Sequence, residues 1–155
     1  MTPRRELRVV RRGTDVVVAF DFGLRRIGVA TGNLHTRTAT PLTTLDVGSS
    51  LPWSCIDSLI GEWRPDVLVV GMPQGSEGAE RVAARVRRFA AQLRERYGVA
   101  VETVDETLTS ASAAADLREG RRSGLLRRRV RKSSVDSYAA CHIAEQWMAE
   151  AAARA

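Results

Sequence analysis

Two short runs, Val16-Val-Val-Ala-Phe20 and Val67-Leu-Val-Val70, contain no polar residue. A strand covered on one side alternates apolar with polar residues, whereas a strand covered on both sides reads as a continuous apolar run. The two runs therefore predict buried central strands, which need apolar layers above and below. A chain of 155 residues is long enough to supply them without disulfide or metal staples.

The segments between and around these runs predict the rest. The first strand ends at Asp21, Gly23 permits a turn, and Ile27-Gly-Val-Ala-Thr31 predicts a strand returning antiparallel to it. A third strand is expected over Ala39–Leu45. Ser49 or Ser50 then caps a helix with Pro52 near its first turn; Trp53, Ile56, Ile60 and Trp63 recur at helical spacing, and Pro65 stops it. After the strand at Val67–Val70 comes a long helix in which Val82, Val86, Phe89 and Leu93 form an apolar stripe, with Gly98 at its C-cap. Val99–Val104 predicts the fifth strand. Thr109 or Ser110 caps a short helix over Ala111–Arg118, and a last helix starts near Ser134 and runs through Ile143 and Trp147.

Three strands followed by alternating helices and strands make an α/β order. It implies a mixed five-stranded sheet, an antiparallel meander and then parallel strands, flanked by helices. No repeat or second pattern interrupts it. The expected organisation is a flexible basic arm over residues 1–14 and a single domain over 15–153.

The formal charge of +6 favours a polyanionic partner, nucleic acid first, because a basic surface attracts phosphate and releases its counterions. All the cations but Lys132 are Arg, as a GC-rich coding sequence would also produce, so position has to decide. Residues 118–132 carry eight cations against one acid, Glu119. Arg121, Arg122, Arg127, Arg128, Arg129, Arg131 and Lys132 are the candidate phosphate contacts, with a solvated linker as the alternative. Arg81, Arg85, Arg87 and Arg88 read as the wet face of the long helix. Cys55 and Cys141 fall in helices with no paired spacing, which argues against a disulfide framework or a zinc site. The first residues have no apolar signal core, and nothing approaches the ~18 apolar residues of a membrane span, so a cytoplasmic protein without a membrane partner is expected.

Three acids stand at element ends: Asp21 closing the first strand, Glu106 after the fifth, and Asp136 opening the last helix. Phosphodiester hydrolysis needs an activated water and stabilisation of the leaving oxygen, which two Mg²⁺ ions held by carboxylates provide. Taken singly, Asp21 also reads as a turn former, Glu106 as a solvated strand end and Asp136 as a favourable charge at a helix N-terminus. Asp105 competes with Glu106, but neighbours on a strand point to opposite faces, so one of them alone should join a cluster. Asp21-Phe-Gly23 spells a kinase triplet, yet too few residues precede it for the rest of that machinery. His142 is expected in packing, while His35, in a hairpin loop, could approach substrate.

Four segments in order, Phe20-Asp-Phe-Gly-Leu-Arg-Arg-Ile-Gly-Val-Ala30, Val70-Gly-Met-Pro73, Asp105-Glu-Thr-Leu-Thr109 and Val135-Asp-Ser-Tyr-Ala-Ala140, resemble the motifs of the YqgF family. The resemblance spans about residues 16–147. It implies a ribonuclease H-like fold, an acidic triad at Asp21, Glu106 and Asp136, and Mg²⁺ or Mn²⁺ as cofactor. Thr107, Gly75 and Ser134 stand where the family usually has Arg, Asn and Lys; they leave the acids intact and bear on substrate contacts.

The implied activity is a metal-dependent nuclease acting on structured RNA or branched DNA. Maturation of the 5′ end of pre-16S ribosomal RNA comes first, with Holliday junction cleavage second and a non-catalytic nucleic-acid binding module third. No large apolar stripe is left over after the core, so a monomer is expected.

Overall fold

The computed structural model describes residues 16–73, 79–105 and 132–154. Strands β1 (Val16–Phe22), β2 (Arg26–Asn33) and β3 (Thr38–Asp46) form the antiparallel meander. β4 (Val67–Met72) joins β1 in parallel and β5 (Ala100–Asp105) joins β4, giving the order β3-β2-β1-β4-β5. Three helices are described: α1 (Trp53–Trp63), α2 (Ala79–Tyr97) and α3 (Lys132–Arg154). The expected α/β class and mixed five-stranded sheet are both present.

The all-apolar runs have the predicted cause. On one side of the sheet Val18, Phe20, Ile27, Val29, Leu68, Val70 and Val101 pack with Ile56 of α1 and Val86, Phe89 and Leu93 of α2. On the other side Val17, Ala19, Val67, Val69 and Val104 pack with Ile143, Ala144, Trp147 and Met148 of α3. Successive residues of β1 and β4 thus serve opposite layers, so every position must be apolar.

Most strand ends shift from expectation by one or two residues, and three boundaries are instructive. β1 continues through Asp21 to Phe22, because the backbone ladder pairs Asp21 with Gly28 and Phe22 with Ile27 and takes no account of the first polar side chain. α1 has Pro52 at its N-cap with no side-chain capping bond, so neither Ser49 nor Ser50 plays that part; the fixed φ of proline prepares the first turn instead. α3 starts at Lys132, ahead of Ser134. The stops follow the sequence more closely. α2 ends where Gly98 adopts φ 63° and its N–H donates to the Arg94 carbonyl at 2.9 Å. α1 ends at Arg64, left-handed at φ 45° and followed by Pro65. The short helix expected over 111–118 lies outside the described residues.

α1 and α2 are tied at the surface through Asp57. Arg96 donates to both of its carboxylate oxygens at 3.0 and 3.1 Å, and the Tyr97 hydroxyl donates to Oδ1. The Arg96 guanidinium also lies 4.8 Å over the Trp53 ring. Arg96 first, and Tyr97 second, hold Asp57 below its ordinary carboxylate range. Arg81, Arg85, Arg87 and Arg88 are exposed on α2, as expected of its wet face.

Candidate active site

The site is built at the edge of the sheet where β1, β4 and β5 end and β2 begins. Asp21 follows Val17 and Ala19 along β1 with the period of two, which places it on the α3 side of the sheet. Its register partner on β2 is Gly28. A Cβ built on Gly28 would fall 2.0 Å from the main-chain oxygen of Asp136 and 3.0 Å from the Ser137 nitrogen. Only a glycine lets the backbone of α3 rest on β2 here, and that contact brings Asp136 to the strand pair carrying Asp21.

Asp136 is fixed by a second contact. Arg26, the first residue of β2, donates from Nε to Asp136 Oδ2 at 2.8 Å. Both side chains remain partly open to solvent, 29% for Arg26 and 25% for Asp136, so the pair is accessible to a ligand. Because α3 begins at Lys132, no acid occupies its first turn and Asp136 stands one turn further in. That weakens the explanation of Asp136 as a charge complementing the helix N-terminus, whose field fades within the first turn.

On β5 the faces are assigned by contacts. Val101 joins the α1/α2 side, whereas Val104 joins the α3 side and Glu102 accepts a 2.8 Å hydrogen bond from Trp147 Nε1 of α3. Asp105 alternates with Val104 and so belongs to the side away from Asp21 and Asp136. Glu106 lies outside the described residues. β4 lies between β1 and β5 and separates them by two sheet spacings, roughly 10 Å in all.

Arg121, Arg122, Arg127, Arg128, Arg129 and Arg131 also lie outside the described residues, and Lys132 is described only as the first residue of α3. Among the described residues no group of three His, Cys, Asp or Glu could hold a metal, so the described part of the predicted triad is the pair Asp21 and Asp136. His35 is corrected. It follows Asn33, which pairs with Val16 at the far end of β1 from Asp21, about five residues or ~17 Å away along the strand. The hairpin that carries it simply points the other way. His142 packs on α3 with its Nδ1 3.5 Å from Glu145, in line with a packing role. Cys141 is a buried core side chain, and burial, with Glu145 adding to it, pushes its thiol up to about 12, away from the thiolate form a nucleophile needs. Among the described residues no helix is long and apolar enough to cross a membrane.

Sequence reasoning assigned no part to Arg26 or Gly28. For Gly28 a signal existed, since a glycine inside an otherwise apolar strand marks a close backbone approach. For Arg26 the signal was its place in the Phe20–Ala30 motif, which by itself did not separate it from Arg25.

A family model described as RuvX, Holliday junction resolvase, matches residues 15–150. A protein of Pectobacterium carotovorum subsp. carotovorum (strain PC1) is 43% identical over 133 residues, covering 84% of this chain and 93% of its own. One from Legionella pneumophila subsp. pneumophila (strain Philadelphia 1) is 41% identical over 135 residues, covering 86% and 94%. Both are provisionally named pre-16S rRNA nucleases. Among solved structures, T. thermophilus RuvC in complex with a Holliday junction substrate superposes with a TM-score of 0.60 at 14% identity, covering 91% of this chain and 98% of that one. The fowlpox virus resolvase in complex with Holliday junction DNA gives 0.57 at 11%, covering 88% and 98%. At such identities these two establish the fold, which is ribonuclease H-like.

Proposed function

The chain belongs to the RuvX family, and from that membership we propose a divalent-metal-dependent nuclease whose ligands are Asp21, Glu106 and Asp136. It is a hydrolase of phosphodiester bonds, the class shared by its relatives. The observation that carries the reading is the seating of the Asp136 backbone on Gly28, the register partner of Asp21, which brings elements distant in sequence to one edge of the sheet. An oxygen-only donor set fits a hard cation, Mg²⁺ or Mn²⁺. The α3-facing side of Glu102 and Val104 supports Glu106 as the third ligand, and the opposite side of Asp105 argues against it.

When bound, such a cation supplies an activated water and charge stabilisation at the leaving oxygen. The chain does the positioning. Gly28 lets α3 sit against β2 and so sets the height of Asp136, Arg26 fixes the rotation of its carboxylate, and partial exposure of both leaves the edge open to a polymer. The cations of residues 118–132 grip phosphate independently of sequence.

The names of the relatives favour pre-16S ribosomal RNA as substrate, which fits the expected cut at its 5′ end and a cytoplasmic location. Holliday junction cleavage is the second reading, favoured by the family description and by two junction-bound structural neighbours. Paired incisions need two sites related by a two-fold axis, so that reading requires a dimer, whereas we propose a monomer. A family match over 15–150 supports one domain over 15–153 preceded by a basic arm at 1–14.

Cleavage of a ribosomal RNA precursor, a four-way DNA junction and single-stranded controls, with Mg²⁺, with Mn²⁺ and with EDTA, tests the reading. Metal-dependent cutting of the precursor is expected, cutting of the junction alone would select the second reading, and binding without cutting would leave a binding module. Changing Arg127, Arg128 and Arg129 together to Ala should reduce the log–log salt slope of binding by roughly 2 to 3, at ~0.7 to 0.9 per lost contact.

A further inference from the structure

We propose that Arg26 is a substrate-contacting residue of this site, held by Asp136 through Nε while its terminal amino groups donate to the two non-bridging oxygens of the phosphodiester being cut. The inference rests on the nuclease reading above. Arg26 stands two residues before Gly28 on β2 and shares its α3-facing side, and its bond puts the guanidinium at Asp136, whose backbone rests on the register partner of Asp21.

The form of that bond is informative. Arg–carboxylate pairs are frequently two-pronged. Here the bond runs from Nε to Oδ2 alone, and among the described residues no other group bonds this guanidinium. Of the five N–H donors of an arginine, four are left for another acceptor, and the Asp136 Oδ1 is left for a cation. Nor does Arg26 turn to the carboxylate nearest along the sheet: Asp46 is its direct register partner on β3, yet the ion pair goes to Asp136.

Stability does not account for this choice, since a partly exposed pair contributes little. Charge does. A polyanionic strand approaching clustered carboxylates is repelled, and a guanidinium fixed among them offsets that repulsion where the phosphate must sit. The planar fork matches two phosphate oxygens in a way that a point charge does not.

The test compares Arg26→Ala and Arg26→Lys with the wild type. The steady-state constants are measured at saturating Mn²⁺ on whichever substrate the wild type cuts. Binding of the same labelled nucleic acid is measured in EDTA across a salt series, and folding is followed by thermal melting. Arg26→Ala should melt close to the wild type and lose about 100-fold in kcat, the scale seen when one charge-stabilising donor is removed. Its KM should stay within ~3-fold, and its salt slope should fall by one contact, ~0.7 to 0.9. Arg26→Lys should keep the slope and regain part of kcat. A kcat within ~3-fold of wild type in Arg26→Ala, or full recovery in Arg26→Lys, overturns the proposal. If Arg26→Ala fails to fold, Arg26→Lys decides alone, wild-type kcat being the overturning result. Should the wild type cut none of the substrates, the nuclease reading fails separately. Arg26 is then judged by the slope, and an unchanged slope overturns its role.

Discussion

The two sides of the sheet are packed by different means. Beneath α1 and α2 the filling is large: Phe20, Phe89, Ile27, Ile56, Leu68 and Leu93 are almost wholly buried, and Phe20, Phe22 and Trp53 all lie with ring centroids within 5.8 Å of Phe89. Beneath the N-terminal half of α3 the filling is small: Gly28, Ala30, Ala140 and Cys141 let the helix backbone touch the strand. Bulky side chains hold layers together but tolerate local adjustment. A backbone-on-backbone contact buries less surface but fixes position to a fraction of an ångström, and it is this side that carries Asp21, Asp136 and Arg26.

That contrast yields separable outcomes. Asp21→Asn should leave melting near the wild type and reduce kcat/KM at least ~10³-fold, about 4 kcal/mol of transition-state stabilisation. Cleavage at the wild-type rate would remove Asp21 from the chemistry and the α3 side from its role. Leu93→Ala, in the large-residue layer, should cost about 3 kcal/mol in denaturant unfolding. Well below its melting temperature this variant should turn over at the wild-type rate; a large fall in kcat would show that the α1/α2 side also sets the site.

Gly28→Val reverses the pattern. Overpacking against the Asp136 carbonyl should cost about 2 kcal/mol in stability, less than Leu93→Ala, while abolishing cleavage because α3 must lift from β2. Activity retained in a folded Gly28→Val would mean that the close approach does not position Asp136. Trp147→Phe is the mildest. It deletes the Nε1 donor to Glu102 and should lower stability by about 1 kcal/mol in urea titration, with kcat unchanged. A drop in kcat here would extend the positioning contacts of α3 across to β5.

Much of the architecture was legible from residues alone, and the reason is local. Val16–Phe20 and Val67–Val70 could only be strands covered on both sides, and Pro65 and Gly98 stop helices by their own backbone chemistry. Boundaries were less legible because the β1 ladder runs on through Asp21 and Phe22, governed by the partner strand. Asp21 and Asp136 were found as acids at element ends. The docking of Asp136 on Gly28, the register partner of Asp21, was beyond periodicity, since it depends on which strand each neighbours and on how near α3 can come.

The sequence by itself determined which residues are apolar on both sides, where helices stop, which acids are available and that the chain belongs with nucleases. Tertiary structure alone decided that β4 lies between β1 and β5, that His35 sits at the wrong end of the sheet, and that Asp105 faces away from the acids. It also decided that the backbone of Asp136 rests on Gly28 and that Arg26 rather than Arg25 bonds Asp136. The physical reason is range. Propensity, caps and alternation act over a few bonds, whereas register and helix docking are settled by contacts between residues 110 positions apart, such as Arg26 and Asp136, which no local pattern encodes.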